Sequence, residues 1–134
     1  MNKFEPDKTL QSKEVLKEIF GFTDFRPSQQ EIIEWILDNK RLLAVMPTGA
    51  GKSLCYQIPA IVSEKRTIII SPLIALMDDQ VASLRLSGVD VEKIHANQDR
   101  EDSVESWLRF KSGKSKIIYM SPERLMTEKM LEEI

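Results

Sequence analysis

The stretch "AVMPTGAGKSLCYQIPA", residues 44–60, decides how the rest of the chain is read. An apolar run leads into Pro47-Thr48-Gly49-Ala50-Gly51, and Lys52-Ser53 then opens an amphipathic segment. A strand, a Gly-rich turn and a helix starting at Gly-Lys-Ser make a phosphate-binding P-loop. Each residue type has a physical reason. Backbone N–H groups from Gly49 to Ser53 converge on an anion only if the turn takes unusual dihedrals, which Gly49 and Gly51 permit. The helix N-terminus adds partial positive charge. Lys52 supplies a point charge for the terminal phosphates, and Ser53 offers a hydroxyl to Mg²⁺. The commonest spelling has a further glycine where Met46 stands. The cradle draws mainly on the later backbone and does not require it.

Working outward, residues 10–20 have apolar positions at helical spacing (Leu10, Val15, Leu16, Ile19, Phe20), and Gly21 is a natural stop. Ser28 with Glu31 has a capping-box pattern opening a second helix. Four short apolar runs follow, at 42–47, 67–72, 91–96 and 116–122. The second and fourth are continuous and β-branched, as in strands buried on both faces. Helical patterns at 52–63, 73–86 and 99–111 separate the runs. This alternation predicts an α/β fold with a parallel sheet and flanking helices. Ser71-Pro72 and Ser121-Pro122 each place an N-cap residue before a helix-starting proline.

Composition bounds the rest. The 134 residues are enough for one domain, and the balance of 42% hydrophobic and 30% charged residues is that of a soluble globular chain. A net charge of -2 excludes a broad basic footprint but not a local nucleic-acid groove. A single cysteine, Cys55, excludes an internal disulfide and a cysteine zinc site, which sets a reducing, intracellular environment as the expectation. No signal peptide or membrane span is legible.

"FRPSQQ", "MPTGAGKSLCYQIPA", "SPLIALMDDQV" and "IIYMSPERL" occur in this order and spacing in RecQ-type DNA helicases, which the chain resembles over about residues 20–130. Met46 is normal spelling in the helicase superfamily 2 to which they belong. DEAD-box RNA helicases are near relatives, but they carry Thr after the loop lysine and a Thr-Arg-Glu-Leu type block where this chain has "SPLIALMDDQ".

The resemblance implies a partial RecA-like P-loop NTPase domain, with residues 1–134 forming the N-terminal portion of the first motor domain. It implies ATP and Mg²⁺ as cofactors. Thr48, Gly49, Ala50, Gly51, Lys52 and Ser53 would hold the nucleotide, with Lys52 catalytic and Ser53 on the metal. Gln29 resembles the residue that reads adenine, a role suited to an amide that donates and accepts. Phe22 and Arg26 match residues that sandwich the base, by aromatic and guanidinium stacking. Phe22 and Phe25 also suit a plain core.

Ser71, Pro72, Gln80 and Ser121 match blocks that lie near single-stranded DNA. A capping and core-facing role explains the same residues equally well. His95 has no ligand partner at useful spacing, and Asp78-Asp79 reads as a solvated helix face. Trp107 and Phe110 read as one apolar helix stripe.

The expected activity is that of an ATP-dependent 3′–5′ DNA helicase, acting on single-stranded or forked DNA in repair and recombination. Its setting would be the cytoplasm or nucleoid of a bacterium, or a eukaryotic nucleus. By the resemblance, the acidic Asp-Glu-Ala-His motif and the second motor domain would follow the "SPERL" helix and are not within these 134 residues, so the fragment is expected to bind nucleotide without hydrolysing it. Two alternatives stand beside this: a non-catalytic nucleotide-binding or interaction module that self-associates through an open sheet edge, and a DEAD-box-like RNA helicase fragment.

Overall fold

The helical spacing of the first segment produces α1, Pro6–Glu18, in the computed structural model, which describes residues 6–47 and 51–134. Gly21 ends this region at φ 77°, a left-handed backbone that glycine adopts freely. Next come α2, Gln29–Leu37, and α3, Lys52–Val62. Leu16, Ile33, Leu54 and Ile58 bring the three helices together as a core, with Val15, Phe20, Phe25, Leu37 and Val62 packed around it. These helices belong to the first of two compact units, residues 1–64 and 65–134.

The strand expected at 42–47 does not form. Residues 41–47 carry no regular structure, and Leu43 and Val45 are 89% and 88% exposed. A strand needs a hydrogen-bonded neighbour, and the described residues of this unit are otherwise helices and turns.

The second unit is the α/β alternation that the sequence predicts. It runs β1 (Thr67–Ile70), α4 (Ile74–Leu86), β2 (Val91–Ile94), α5 (Arg100–Lys111), β3 (Ile117–Met120), α6 (Pro122–Leu125) and α7 (Glu128–Glu133). The sheet is parallel, in the order β1-β3-β2. In register, Ile70 and Ile94 both lie opposite Met120. Central β3 is buried at every position, as its unbroken apolar run requires. β1 departs from that expectation. It is an edge strand, and its Ile70 is 41% exposed. Ile94, Phe110, Ile118 and Met120 make the core, while α4 buries the stripe Met77, Val81 and Leu84.

One buried charge braces this unit. Glu92 on β2 is 5% exposed. Its Oε1 accepts from Arg109 Nη2 at 2.9 Å, its Oε2 accepts from Ser115 Oγ at 2.6 Å, and the Arg85 guanidinium lies 3.8 Å away. Burial opposes the charge, but the hydrogen bonds from Arg109 and Ser115 outweigh it and hold the carboxyl below the ordinary glutamate range. A depressed carboxyl contributes stability that is complete above its unfolded pKa, about 4.3, and is lost as pH falls through the folded value. Both arginines are partly exposed and return to water when the carboxylate is removed. Glu92→Gln should therefore lower unfolding free energy at neutral pH by about 1–3 kcal/mol in urea denaturation. The gap to the parent should narrow between about pH 5 and pH 3. A pH-independent gap would show that the ionised carboxylate is not what stabilises the unit.

Candidate functional site

The capping box read at Ser28 and Glu31 is absent. Ser28 takes φ 72° and ψ -15°, and its side chain makes no capping bond. An N-cap hydroxyl reaches the first-turn N–H groups from extended backbone, which these left-handed dihedrals do not provide. Gln29, 1% exposed, occupies this corner instead. Its Oε1 accepts the Arg26 backbone N–H at 2.7 Å. Its Nε2 donates to the Gly51 carbonyl at 3.1 Å, across 22 residues of chain.

Gly51 is the N-cap of α3, at φ 74°. A Cβ placed on it would displace Gln29 Nε2 from the Gly51 carbonyl, so glycine is favoured here by its left-handed dihedral and because it leaves the Gln29 bond intact. Cys55 Sγ also points to the Gly51 carbonyl, at 3.9 Å, and burial pushes this thiol above its usual range. Lys52 opens α3 as an exposed side chain with no ion-pair partner among the described residues, and Ser53 follows, half-buried. Thr48, Gly49 and Ala50 lie outside the described residues.

A cleft of about 540 Å³ is walled by residues 26–28, 31–32 and 42–47. Arg26 lines it; Phe22 and Gln29 do not. Phe22 is 48% exposed, so it is not a core residue, whereas Phe25 packs against the core.

In the second unit the remaining candidates cluster at the C-terminal ends of the strands, where open parallel sheets bind ligands. Ser71 follows β1 and donates its N–H to the Met120 carbonyl at 3.1 Å. Ser121 follows β3 and donates its N–H to Ile94 O at 3.2 Å. The two Ser-Pro junctions nevertheless differ. Pro122 is the first residue of α6, but the Ser121 hydroxyl, though buried, does not cap it and has no hydrogen-bond partner. After Ser71-Pro72 the helix waits until Ile74, with Leu73 as N-cap, because Ser71 Oγ accepts the Leu73 N–H at 3.4 Å in a local turn. Gln80 Oε1 accepts the Tyr119 hydroxyl at 2.7 Å, which fixes α4 to β3.

His95 follows β2 and is 3% exposed. Its Nδ1 accepts the Asn97 N–H at 3.2 Å and its Nε2 lies 2.9 Å from Asp78 Oδ1. An accepting Nδ1 leaves Nε2 as the protonated donor. Lys93 Nζ also reaches Asp78 at 2.7 Å, and its hydrogen bond, with that of His95, holds the Asp78 carboxyl low despite partial burial. Asp78 is thus a tie between α4 and β2 rather than only a solvated face. No sequence signal marked this bond or that of Gln29 to Gly51, since both join residues far apart in the chain.

The Gln29 bridge is open to test by urea denaturation. Gln29→Ala removes the side-chain acceptor of the Arg26 N–H and one donor to the Gly51 carbonyl and should cost about 1–3 kcal/mol. Gly51→Ala adds a left-handed alanine and a clash, and should cost at least as much. Wild-type stability in both variants would show that the bridge is not formed in solution.

The DEAD/DEAH box helicase family profile matches residues 26–134. The "ATP-dependent DNA helicase RecQ" of Haemophilus influenzae is 42% identical over 120 residues, which is 90% of this chain and 19% of that protein. Its Bacillus subtilis counterpart is 42% identical over 115 residues, covering 85% of this chain and 20% of its own. Mouse "ATP-dependent DNA helicase Q1" is 40% identical over 120 residues, or 88% and 18%. The chain therefore spans about a fifth of the length of these relatives. With Gln29, the α3 start and both Ser-Pro junctions inside the matched range, the chain belongs to the DEAD/DEAH box helicase family.

Proposed function

We propose that the chain carries the N-terminal portion of the first RecA-like motor domain of a RecQ-type, ATP-dependent DNA helicase moving 3′ to 5′. The observation that carries this reading is the Gln29–Gly51 hydrogen bond. It joins the residue that would read adenine to the backbone that opens the phosphate-binding helix. In this reading ATP lies on Thr48 to Ser53, with Lys52 on the terminal phosphates and Phe22 and Arg26 beside the base. Gln29 would then exchange at least one present partner for the adenine edge. Mg²⁺ would rest on the Ser53 hydroxyl and the phosphates, where it would neutralise developing charge. Among the described residues, no group of three or more His, Cys, Asp or Glu side chains is placed to hold a metal.

Ser71, Pro72, Gln80 and Ser121 would face single-stranded or forked DNA at the strand ends. Backbone N–H groups and hydroxyls of this kind position a phosphate chain without reading its sequence. The setting would be intracellular, in repair and recombination; among the described residues no helix is long and apolar enough to cross a membrane. Within these residues hydrolysis is not expected. The three strands of the second unit are followed by Ser71, His95 and Ser121, none of which is the carboxylate that hydrolysis needs at a strand end.

Titration of the purified chain with labelled ATP and GTP tests the proposal. ATP should bind in preference to GTP. Lys52→Ala and Gln29→Ala should each weaken ATP binding about tenfold or more, and multiple-turnover hydrolysis should stay at background. Equal binding of GTP would remove the adenine-reading role. Turnover abolished by Lys52→Ala would overturn the inactivity of the fragment. In the full-length protein, ATPase stimulated by RNA and not by DNA would move the assignment to the DEAD-box RNA helicases.

A further inference from the structure

The second unit holds a groove that the helicase reading does not use. It has a volume of about 600 Å³, within the range of small-molecule sites, about 300–1,000 Å³. One wall is a stripe of α5, Arg100, Ser103 and Trp107, on a single helical face. Arg124, Lys129 and Met130 line it from α6 and α7. We propose that this groove binds a free mononucleotide.

Four features select that ligand. The side chains of Arg100, Arg124 and Lys129 make no hydrogen bond or ion pair among the described residues, and against these three cations the groove carries one carboxylate, Glu133, whose charge Lys129 and Lys111 both offset. Ser103 is 2% exposed and its hydroxyl has no hydrogen-bond partner, although buried polar groups are ordinarily satisfied. Trp107 is half-buried, and Phe110 backs its ring at a centroid separation of 5.6 Å, which leaves an aromatic platform of the kind on which bases stack. Finally, Lys111 Nζ meets Glu133 Oε2 at 2.9 Å, a bridge from α5 to α7 that holds together the two helices on either side of the groove. A phosphate fits the cations, a flat heteroaromatic ring fits Trp107, and a ring acceptor meets the Ser103 hydroxyl. A groove of about 600 Å³ has room for one nucleotide rather than for a run of them.

The test uses the full chain with Lys52→Ala, which silences the P-loop, and Trp35→Phe, which leaves Trp107 as the sole tryptophan of the original two. AMP, inorganic phosphate and a short oligothymidylate are titrated while Trp107 fluorescence is followed. AMP should quench it saturably and phosphate alone should bind far more weakly. Arg100→Glu with Lys129→Glu should weaken AMP about tenfold or more. Should that variant lose its circular dichroism signature, Ser103→Ala decides: several-fold weaker binding supports the site, and unchanged binding overturns it. Absence of quenching by AMP, or quenching that survives charge reversal in a folded chain, also overturns it. Quenching by the oligonucleotide alone would assign the groove to a strand and reject the free-nucleotide proposal.

Discussion

A single side-chain amide organises the first unit. Gln29 accepts from the Arg26 backbone and donates to the Gly51 carbonyl, so the turn into α2 and the start of α3 are held by one buried group. An amide can do this because it donates and accepts at once. The arrangement constrains its neighbours. A side chain at Gly51 would displace the Gln29 amide and strain the backbone, and Ser28 occupies a backbone region that few serines enter. Strain of this kind persists only where surrounding contacts over-determine it, and it concentrates at functional sites. The core of Leu16, Ile33, Leu54 and Ile58 supplies those contacts.

The second unit uses the same economy of buried polar ties. Asp78 receives Lys93 and His95, and Gln80 receives Tyr119, so α4 is fixed to both β2 and β3. The segment from Ser71 to Ile74 is thereby held at the C-terminal edge of the sheet, beside Ser121. Parallel strands ending together expose a row of loop backbone there, which is where the candidate nucleic-acid residues sit. Below that edge, Glu92 ties β2 to α5 through Arg109 and to the entry of β3 through Ser115.

The α/β alternation was legible because β3 is an unbroken apolar run and α4 shows the helical repeat Met77, Val81, Leu84. The start of α3 was legible because Gly51-Lys52-Ser53 closes a Gly-rich stretch and opens an amphipathic one. Local details failed where tertiary contacts displaced local ones. Ser28 and Ser71 are good N-cap residues by type, yet one sits in left-handed backbone and the other spends its hydroxyl on a turn. α5 buries Ser103 and Ser106 with Phe110, so part of its inward face looked polar. The ties of Gln29 and His95 join residues far apart in the chain, and no spacing rule reports such pairs.

The segment 42–47 shows why an apolar run is not by itself a strand. Its composition suits a position between two neighbours in a sheet, but pattern supplies no partner. Leu43 and Val45 remain almost fully in water, each forgoing the roughly 1.5–3 kcal/mol that full burial of such a side chain contributes. The first unit therefore does not rest on this segment. It rests on three helices, and the opening of α3 is fixed by α2 through Gln29. A P-loop is usually described as a turn hung from a strand. In this unit the described part of the turn is held from a neighbouring helix, and the amide that holds it is the one the family would use to recognise the base. In the proposed adenine-reading role, nucleotide recognition and loop geometry would compete for the same hydrogen-bonding group, and base binding would then alter the start of α3.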